Sequence, residues 1–261
     1  MQKKTKVFVA IPSVGTVSDL HPYVFRDFER DYKDSIELVY SKQLVNRKFH
    51  DFARNALVEE FLATDCDILW FLDSDVVPPP TVLDIITQYG HQWELAGAPY
   101  GVFITPKGFK GPQVVMCVYK QGHEGLHAAK VPTTGVEFVD GMATGCIFIK
   151  REVLTKLQKP YFEFKFDAES KEMTEGEDLG FCRKVNELGY KFFVDYSKAC
   201  KHYKTLCVLE VNNYANDYAQ IALNSYTEEV KKAIEQAYKR GLTDGAKKGQ
   251  TASGLYIPKK F

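Results

Sequence analysis

Two aspartates separated by one residue, Asp73-Ser74-Asp75, stand directly after the apolar run Asp67-Ile-Leu-Trp-Phe-Leu72 and shortly before Pro78, Pro79 and Pro80. If the chain stays extended through them, residues i and i+2 face the same way and the two carboxylates lie close together. Such a pair repels itself unless a cation sits beside it. Hard oxygen donors suit Mg2+ or Mn2+, ions that in turn hold a diphosphate. A second acidic group, Glu175-Gly-Glu177-Asp178, opens a stretch with helical spacing. The helix dipole favours acids there, and a carboxylate facing a cleft serves as general base for a hydroxyl. The third group is His202 in Lys201-His-Tyr-Lys204. Together with the carboxylate pair this imidazole makes an incomplete metal shell, open to phosphate and water.

Hydropathy patterning indicates the elements that must position these groups. Val7-Phe-Val-Ala-Ile11 and Asp67–Leu72 are continuous apolar runs, the pattern of buried parallel strands, and Ile36–Tyr40 is a further strand. From Phe49 to Leu62 apolar residues recur at helical spacing, with Arg54 and Asn55 in the first turns. Thr81–Tyr89 reads as a helix entered through proline. The first roughly 90 residues thus alternate strand and helix, as a parallel α/β sheet does. Ligands of such sheets bind beyond the carboxyl ends of the strands, where Pro12-Ser13 and Asp73-Ser74-Asp75 fall.

Farther on, Gln113–Tyr119, Val136–Val139 and Cys146–Ile149 read as strands, and Gly141-Met-Ala-Thr-Gly145 as a flexible turn. Arg151–Leu157 is a helix and Glu163–Glu175 a polar, mobile loop. Asp178–Leu188 is a helix ended by Gly189, followed by a short strand over Lys191–Val194. Thr227–Arg240 is an amphipathic helix before a Gly- and Lys-rich end. No internal repeat or linker is visible, so the reading is one domain over residues 1–210 with a C-terminal helical extension over 211–261.

Composition narrows the function classes. The chain has 261 residues, 45% of them hydrophobic, and 34 basic residues balance 34 acidic ones. That balance lacks the basic footprint of a general nucleic-acid binder. No stretch approaches the roughly 18 apolar residues of a membrane span. The run Val7–Ile11 is also shorter than the apolar core of a signal peptide, about 7–15 residues. Six cysteines without a Cys-x-x-Cys pair read as reduced packing residues of a cytoplasmic protein.

In their order along the chain these motifs resemble those of GT-A glycosyltransferases, the family-2-like group in particular. Cys66-Asp-Ile-Leu-Trp-Phe-Leu-Asp-Ser-Asp-Val-Val-Pro-Pro-Pro80 resembles the DxD segment of that group. Asp140-Gly-Met-Ala-Thr-Gly-Cys-Ile-Phe-Ile-Lys-Arg151 is similar to its acceptor-side turn. Glu177-Asp-Leu-Gly-Phe-Cys-Arg-Lys184 follows, and then His202 after Gly189-Tyr-Lys-Phe-Phe-Val-Asp195; Arg54-Asn55 also matches. The resemblance runs from about residue 5 to about residue 205.

The resemblance implies a Rossmann-like, mostly parallel sheet flanked by helices, with a smaller antiparallel part on the acceptor side. It implies transfer of a sugar from a nucleotide-sugar, a UDP-sugar in the first instance, to an acceptor hydroxyl, with Mn2+ or Mg2+ as cofactor. Asp75 would then bind the metal, Asp73 the metal or the ribose, and His202 would be the other protein ligand. Pro12, Ser13, Arg54, Asn55 and Ser74 would line the nucleotide pocket, and Gly145 would flank the donor sugar. Asp178 would be the base, with Glu177 beside it. Lys201 stands where the family usually has glycine before the histidine, and a lysine there can contact phosphate.

Other readings compete. His123-Glu-Gly-Leu-His127 spells the zinc-protease motif, but that motif needs a helix, and Gly122 and Gly125 oppose one; a solvated loop fits better. A sugar nucleotidyltransferase would carry a Gly-rich, Arg-containing loop after the first strand, and Pro12-Ser-Val-Gly-Thr-Val17 has neither feature. A non-catalytic nucleotide-sugar or glycan-binding module would need no base. For the acceptor, a glycan, a small molecule and a modified nucleic acid remain open. Tyr161, Phe162, Phe164, Phe166 and Tyr196 are candidates to stack on rings, and the Lys-rich C-terminus is a candidate to touch a polyanion.

Overall fold

The computed structural model describes residues 3–12, 21–41, 50–104, 113–122, 125–128 and 135–203. The chain divides into two compact units, residues 1–103 with 114–204 and residues 104–113 with 205–261. The described residues fall almost wholly in the first. The extension expected from residue 211 onward, with its helix and lysines, lies outside them.

The strands are β1 (Thr5–Ala10), β2 (Ile36–Tyr40), β3 (Ile68–Leu72), β4 (Val76–Val77), β5 (Leu95–Gly97), β6 (Gly101–Ile104), β7 (Gln113–Met116) and β8 (Val118–Gly122). They continue with β9 (Gly125–Ala128), β10 (Val136–Val139), β11 (Gly141–Met142), β12 (Cys146–Lys150), β13 (Lys165–Phe166), β14 (Met173–Glu175), β15 (Phe192–Asp195) and β16 (Lys201–His202). The helices are α1 (His21–Asp31), α2 (His50–Leu62), α3 (Asp84–Tyr89), α4 (Arg151–Lys156) and α5 (Glu177–Glu187).

Seven strands form the central sheet in the order β10-β15-β5-β12-β3-β1-β2. β1 runs parallel to β2 and β3, and β15 parallel to β5, while β12 is antiparallel to both of its neighbours and β10 to β15. Five of the seven strands therefore point one way, the mostly parallel arrangement expected. Successive side chains alternate between the two faces. Phe8, Leu69 and Phe71 pack under α2, α4 and α5, while Val9, Trp70 and Leu72 pack under α1 and α3. All five residues of β3 are buried, which is why its sequence shows an unbroken apolar run rather than alternation. Each such side chain contributes about 1.5–3 kcal/mol on burial.

Two side chains fix α2 in place. Arg151 donates to the carbonyls of Cys66 (2.8 Å from Nε), Leu62 (3.2 Å) and Thr64 (3.0 Å) and lies 4.5 Å from the Phe61 ring centroid. A cation at these carbonyls suits the negative end of the helix. Asn55 donates to the carbonyls of Asp51 and Phe162, at 2.9 and 2.7 Å, and accepts from the N–H groups of Tyr161 and Phe162, at 2.8 and 3.1 Å.

Several elements differ from expectation. Helix α1 was not anticipated, although Pro22 in its first turn and the buried pair Phe25 and Phe28 at helical spacing mark it. β5 has only three residues, too few for a periodic signal, yet it sits inside the sheet. Residues 113–119 are interrupted at Cys117 instead of forming one strand. Helix α3 begins at Asp84, after a turn over residues 80–83. The segment Glu163–Glu175, expected as a loop, contains the antiparallel hairpin β13–β14. Gly189 takes φ +83° directly after α5, as anticipated for a helix stop.

Of the H-E-x-x-H stretch, residues 123 and 124 lie outside the described residues. Residues 125–128 form β9, paired with β8, which is strand and not the solvated loop expected. The backbone that a zinc-protease helix needs is therefore not there. Cys66, Cys117, Cys146, Cys182 and Cys200 are free and buried. Among the described residues no helix is long and apolar enough to cross a membrane.

Candidate active site

β3 ends at Leu72, and the chain turns at once. The N–H of Val76 donates to the Asp73 carbonyl at 3.0 Å, closing a β-turn over Asp73–Val76. The extended geometry that would put Asp73 and Asp75 side by side is thereby lost, and the two carboxylates acquire different partners.

Asp73 faces α2. Its N–H donates to the Gly145 carbonyl at 2.8 Å, and its carboxylate accepts from Arg54 Nη2 at 3.0 Å. The Arg54 side chain is only 4% exposed. Its Nε lies 3.8 Å from Glu177 Oε1, and its guanidinium is 5.5 Å from the Phe71 ring centroid. One buried cation thus serves two carboxylates from different elements.

Glu177 and Asp178 form the first turn of α5 behind Gly176, a position with no side-chain cap. Burial pushes both carboxyls above their ordinary range; Glu177 and Asp178 are further raised by neighbouring negative charge, while Arg54 pulls both back down. Asp178 Oδ1 accepts from the N–H of Leu179 at 2.8 Å. A carboxyl poised above its usual range is suited to general-base work near neutral pH.

Asp75 faces the other way, toward β16. His202 pairs with Val76 in the short β4–β16 ladder, and the N–H of Tyr203 donates to the Asp75 carbonyl at 2.8 Å. His202 Nε2 lies 3.4 Å from Asp75 Oδ2, and its Nδ1 lies 2.8 Å from the Gly101 carbonyl. A carbonyl accepts, so Nδ1 carries a hydrogen, and Nε2 is the ring nitrogen that faces Asp75. This is the outer-shell arrangement that fixes the tautomer of a ligating histidine.

The expected metal set is accordingly divided. Asp75 and His202 are together and Asp73 is held on Arg54. Among the described residues no three His, Cys, Asp or Glu side chains form a metal-holding group. The Asp75–His202 spacing nonetheless suits one shared divalent cation, since ligands about 2.1 Å from an ion and at right angles are about 3 Å apart. The remaining positions would fall to phosphate oxygens and water.

Tyr100 and His21 belong to the site without having been anticipated. Tyr100 Oη accepts from the Gly145 N–H at 3.2 Å, and its ring meets His202 edge-on with centroids 4.9 Å apart. It therefore bridges the Asp73 and Asp75 halves. His21 is buried, and its Nε2 lies 2.8 Å from the Val76 carbonyl. Neither residue stands in a motif, and only the fold brings them here.

Among the described residues six buried side-chain nitrogen or oxygen atoms have no hydrogen-bond partner. Four of these, His21 Nδ1, Arg54 Nε and Nη1 and Thr144 Oγ1, come from residues bonded to the turn or adjacent to Gly145. Unpaired buried polar groups cost free energy and are uncommon, and here they concentrate around one turn.

Gly145 is buried, with no room for a side chain. A Cβ there would lie 2.5 Å from Tyr100 Oη and 2.8 Å from Asp73 Oδ2. Gly145→Ala is therefore expected to displace both groups and to lower stability by about 1–3 kcal/mol, the typical cost of overpacking. Urea unfolding of the variant checks this.

Of the other expected pocket residues, Pro12 is buried just past β1 and Ser74 is half-buried within the turn. Ser13 lies outside the described residues. The amide of Asn55 is committed to backbone groups, so its place is in the support of α2. Lys201 is exposed on β16.

No family model matches the chain, and no curated protein matches it. Among solved structures it is similar to the crystal structure of A197 from STIV, with 22% identity and a TM-score of 0.49 over 77% of this chain and 86% of that one. It is also similar to GalNAc-T7 with UDP, GalNAc and Mn2+, with 12% identity and a TM-score of 0.41 over 89% of this chain and 54% of that one. Likeness at this level transfers no ligand and no reaction. The mostly parallel sheet with helical layers on both faces is a mixed α/β fold of Rossmann type, consistent with the GT-A-like architecture expected.

Proposed function

We propose that the chain is a glycosyltransferase that moves a sugar from a nucleotide-sugar, a UDP-sugar in the first instance, to an acceptor hydroxyl with the help of Mn2+ or Mg2+. The observation that carries this reading is the Asp75–His202 pair, with the His202 tautomer fixed by the Gly101 carbonyl, set at a strand end beside a separate acid group.

Asp75 and His202 would hold the cation, which when bound supplies Lewis-acid neutralisation of the departing diphosphate. Asp73, oriented by Arg54, would meet the ribose or donor sugar near Gly145. Asp178 would take the proton of the acceptor hydroxyl as that oxygen bonds to the anomeric carbon. The bond from that carbon to the diphosphate oxygen breaks in the same step, releasing the nucleoside diphosphate. Glu177, beside Arg54, would help keep the acid pair in place. Holding both reactants in line supplies much of the acceleration.

Calorimetric titration of UDP and UDP-glucose into metal-free protein, then with Mn2+, tests the reading. Binding is expected only with the cation, and Asp75→Ala should weaken it at least about a hundredfold, the upper end of the usual cost of removing a metal-site group. Silence of UDP, UDP-glucose and other nucleotides under all conditions would overturn it.

A further inference from the structure

The acid pair has a neighbour that the donor site does not use. β13 and β14 pair so that Phe166 stands opposite Met173. Both are exposed, at 60% and 59%. The Phe164 ring, half-buried, lies 6.4 Å from that of Phe166. Side chains opposite one another on a hairpin form one continuous patch, so this is an apolar face and not a scatter of single residues. Of the ring-bearing residues considered for stacking, Tyr161, Phe162 and Tyr196 are buried, which leaves Phe164 and Phe166 to meet a ligand.

The hairpin is fixed to the candidate base. Lys165 Nζ lies 3.3 Å from Glu175 Oε2, and Arg183 Nε, from α5, 3.2 Å from Glu175 Oε1. β14 ends at Glu175, next to the residue that precedes α5, so the apolar patch and Glu177–Asp178 are neighbours along the chain. Four residues from Met173 to Glu177 span at most about 13–14 Å. A short chain of sugar rings is long enough to cover that span.

Charge selects the kind of chain. Residues 163–178 carry seven acidic side chains and two lysines, and with Arg54, Arg183 and Lys184, which pair with Glu177, Glu175 and Glu163, the group still keeps a net negative charge. A polyanion would be repelled at this approach, whereas the aliphatic and aromatic surface of Phe166 and Met173 offers a neutral ring an apolar face.

We infer that the Phe166–Met173 face is the acceptor platform of the transferase proposed above, and that the acceptor is a neutral saccharide of more than one ring. Inner rings lie on Phe166 and Met173 while the terminal hydroxyl meets Asp178. The inference deepens that reading and rests on it.

The test uses the full chain with 13C-methyl methionine, the Met173 resonance being assigned through Met173→Leu. Maltotetraose, cellotetraose, mannotetraose and N-acetylchitotetraose are titrated in turn, with glucose and an oligodeoxynucleotide carrying hydroxymethylcytosine as comparisons. At least one tetrasaccharide should shift the Met173 methyl. Phe166→Ala should weaken that binding about tenfold, with unchanged melting temperature and unchanged UDP binding in Mn2+. No shift with any tetrasaccharide, an equal affinity for glucose, or a shift produced by the oligonucleotide instead would overturn the inference. UDP titration reads the transferase separately. A saccharide shift without UDP binding retains the platform and removes the transferase; UDP binding without any shift does the reverse.

Discussion

Asp178→Asn is expected to make the folded chain more stable at neutral pH and, on the transferase reading proposed above, to lower sugar transfer roughly 100- to 10,000-fold, the usual contribution of a positioned general base. Burial is the leading cause that raises the Asp178 carboxyl above its ordinary value of 3.8, and Asp73 adds to it. A carboxyl raised in the folded state binds more proton there than in the unfolded chain. Stability therefore falls as pH climbs from about 4 through the raised value, and the penalty is fully present above it. Asparagine keeps the shape and the acceptor for the Leu179 N–H but cannot ionise. It gives up the attraction between a carboxylate and the helix N-terminus, about 0.3–1 kcal/mol. Because the raised pKa already contains that attraction as an offset, the balance favours the neutral side chain. Melting curves for both proteins at several pH values decide the matter: the variant should gain at pH 8 and lose the advantage near pH 4. A loss of equal size at every pH would mean that the carboxylate is a structural asset.

Arg54→Met should cost about 3–5 kcal/mol in urea unfolding, the usual result of removing one partner of a buried ion pair. Methionine fills much of the same volume, so the loss reports charge rather than a cavity. Asp73 and Glu177 are left without their shared cation. Arg54→Lys should recover little, because a single ammonium cannot reproduce a planar group reaching both acids. Asp73→Asn in the Arg54→Met background should restore part of the loss, since the orphaned charge is then gone. Additive effects in that cycle would contradict the pairing. The deficit should also shrink as pH falls through the raised Glu177 carboxyl, which then takes up its proton in the folded state.

Much of the sheet was legible because its strands are buried on both faces. Val7–Ala10 and Ile68–Leu72 admit no polar residue, and such runs bounded by turns have few alternatives. The hairpin β13–β14 was hidden because strands of two and three residues are too short for alternation to register among so many charges. For the candidate site, residue types and order indicated which side chains to examine but not which ones touch. Whether Asp73 and Asp75 share a face depends on one hydrogen bond, from the Val76 N–H to the Asp73 carbonyl, and spacing does not encode it. Likewise Arg54 stood out as a pocket residue, while its burial between Asp73 and Glu177 follows only from how α2 and α5 meet the sheet. Tyr100 carries no local signal at all, because its importance comes from two partners distant in sequence.

The β4–β16 ladder, two residues on each side, also governs when the protein becomes able to work. It joins residues 76 and 77 to residues 202 and 201 and so closes a loop over most of the described fold. The entropy of closing so long a loop rises slowly, about 0.6 kcal/mol for each doubling, but distant pairings form late in folding. During synthesis Asp75 leaves the ribosome long before His202 does. On the proposed reading, a nascent chain would hold one of the two cation ligands and wait for the other. Any ion or nucleotide bound at this seam recognises only the completed molecule, and so acts as a final clasp that draws late intermediates toward the native state.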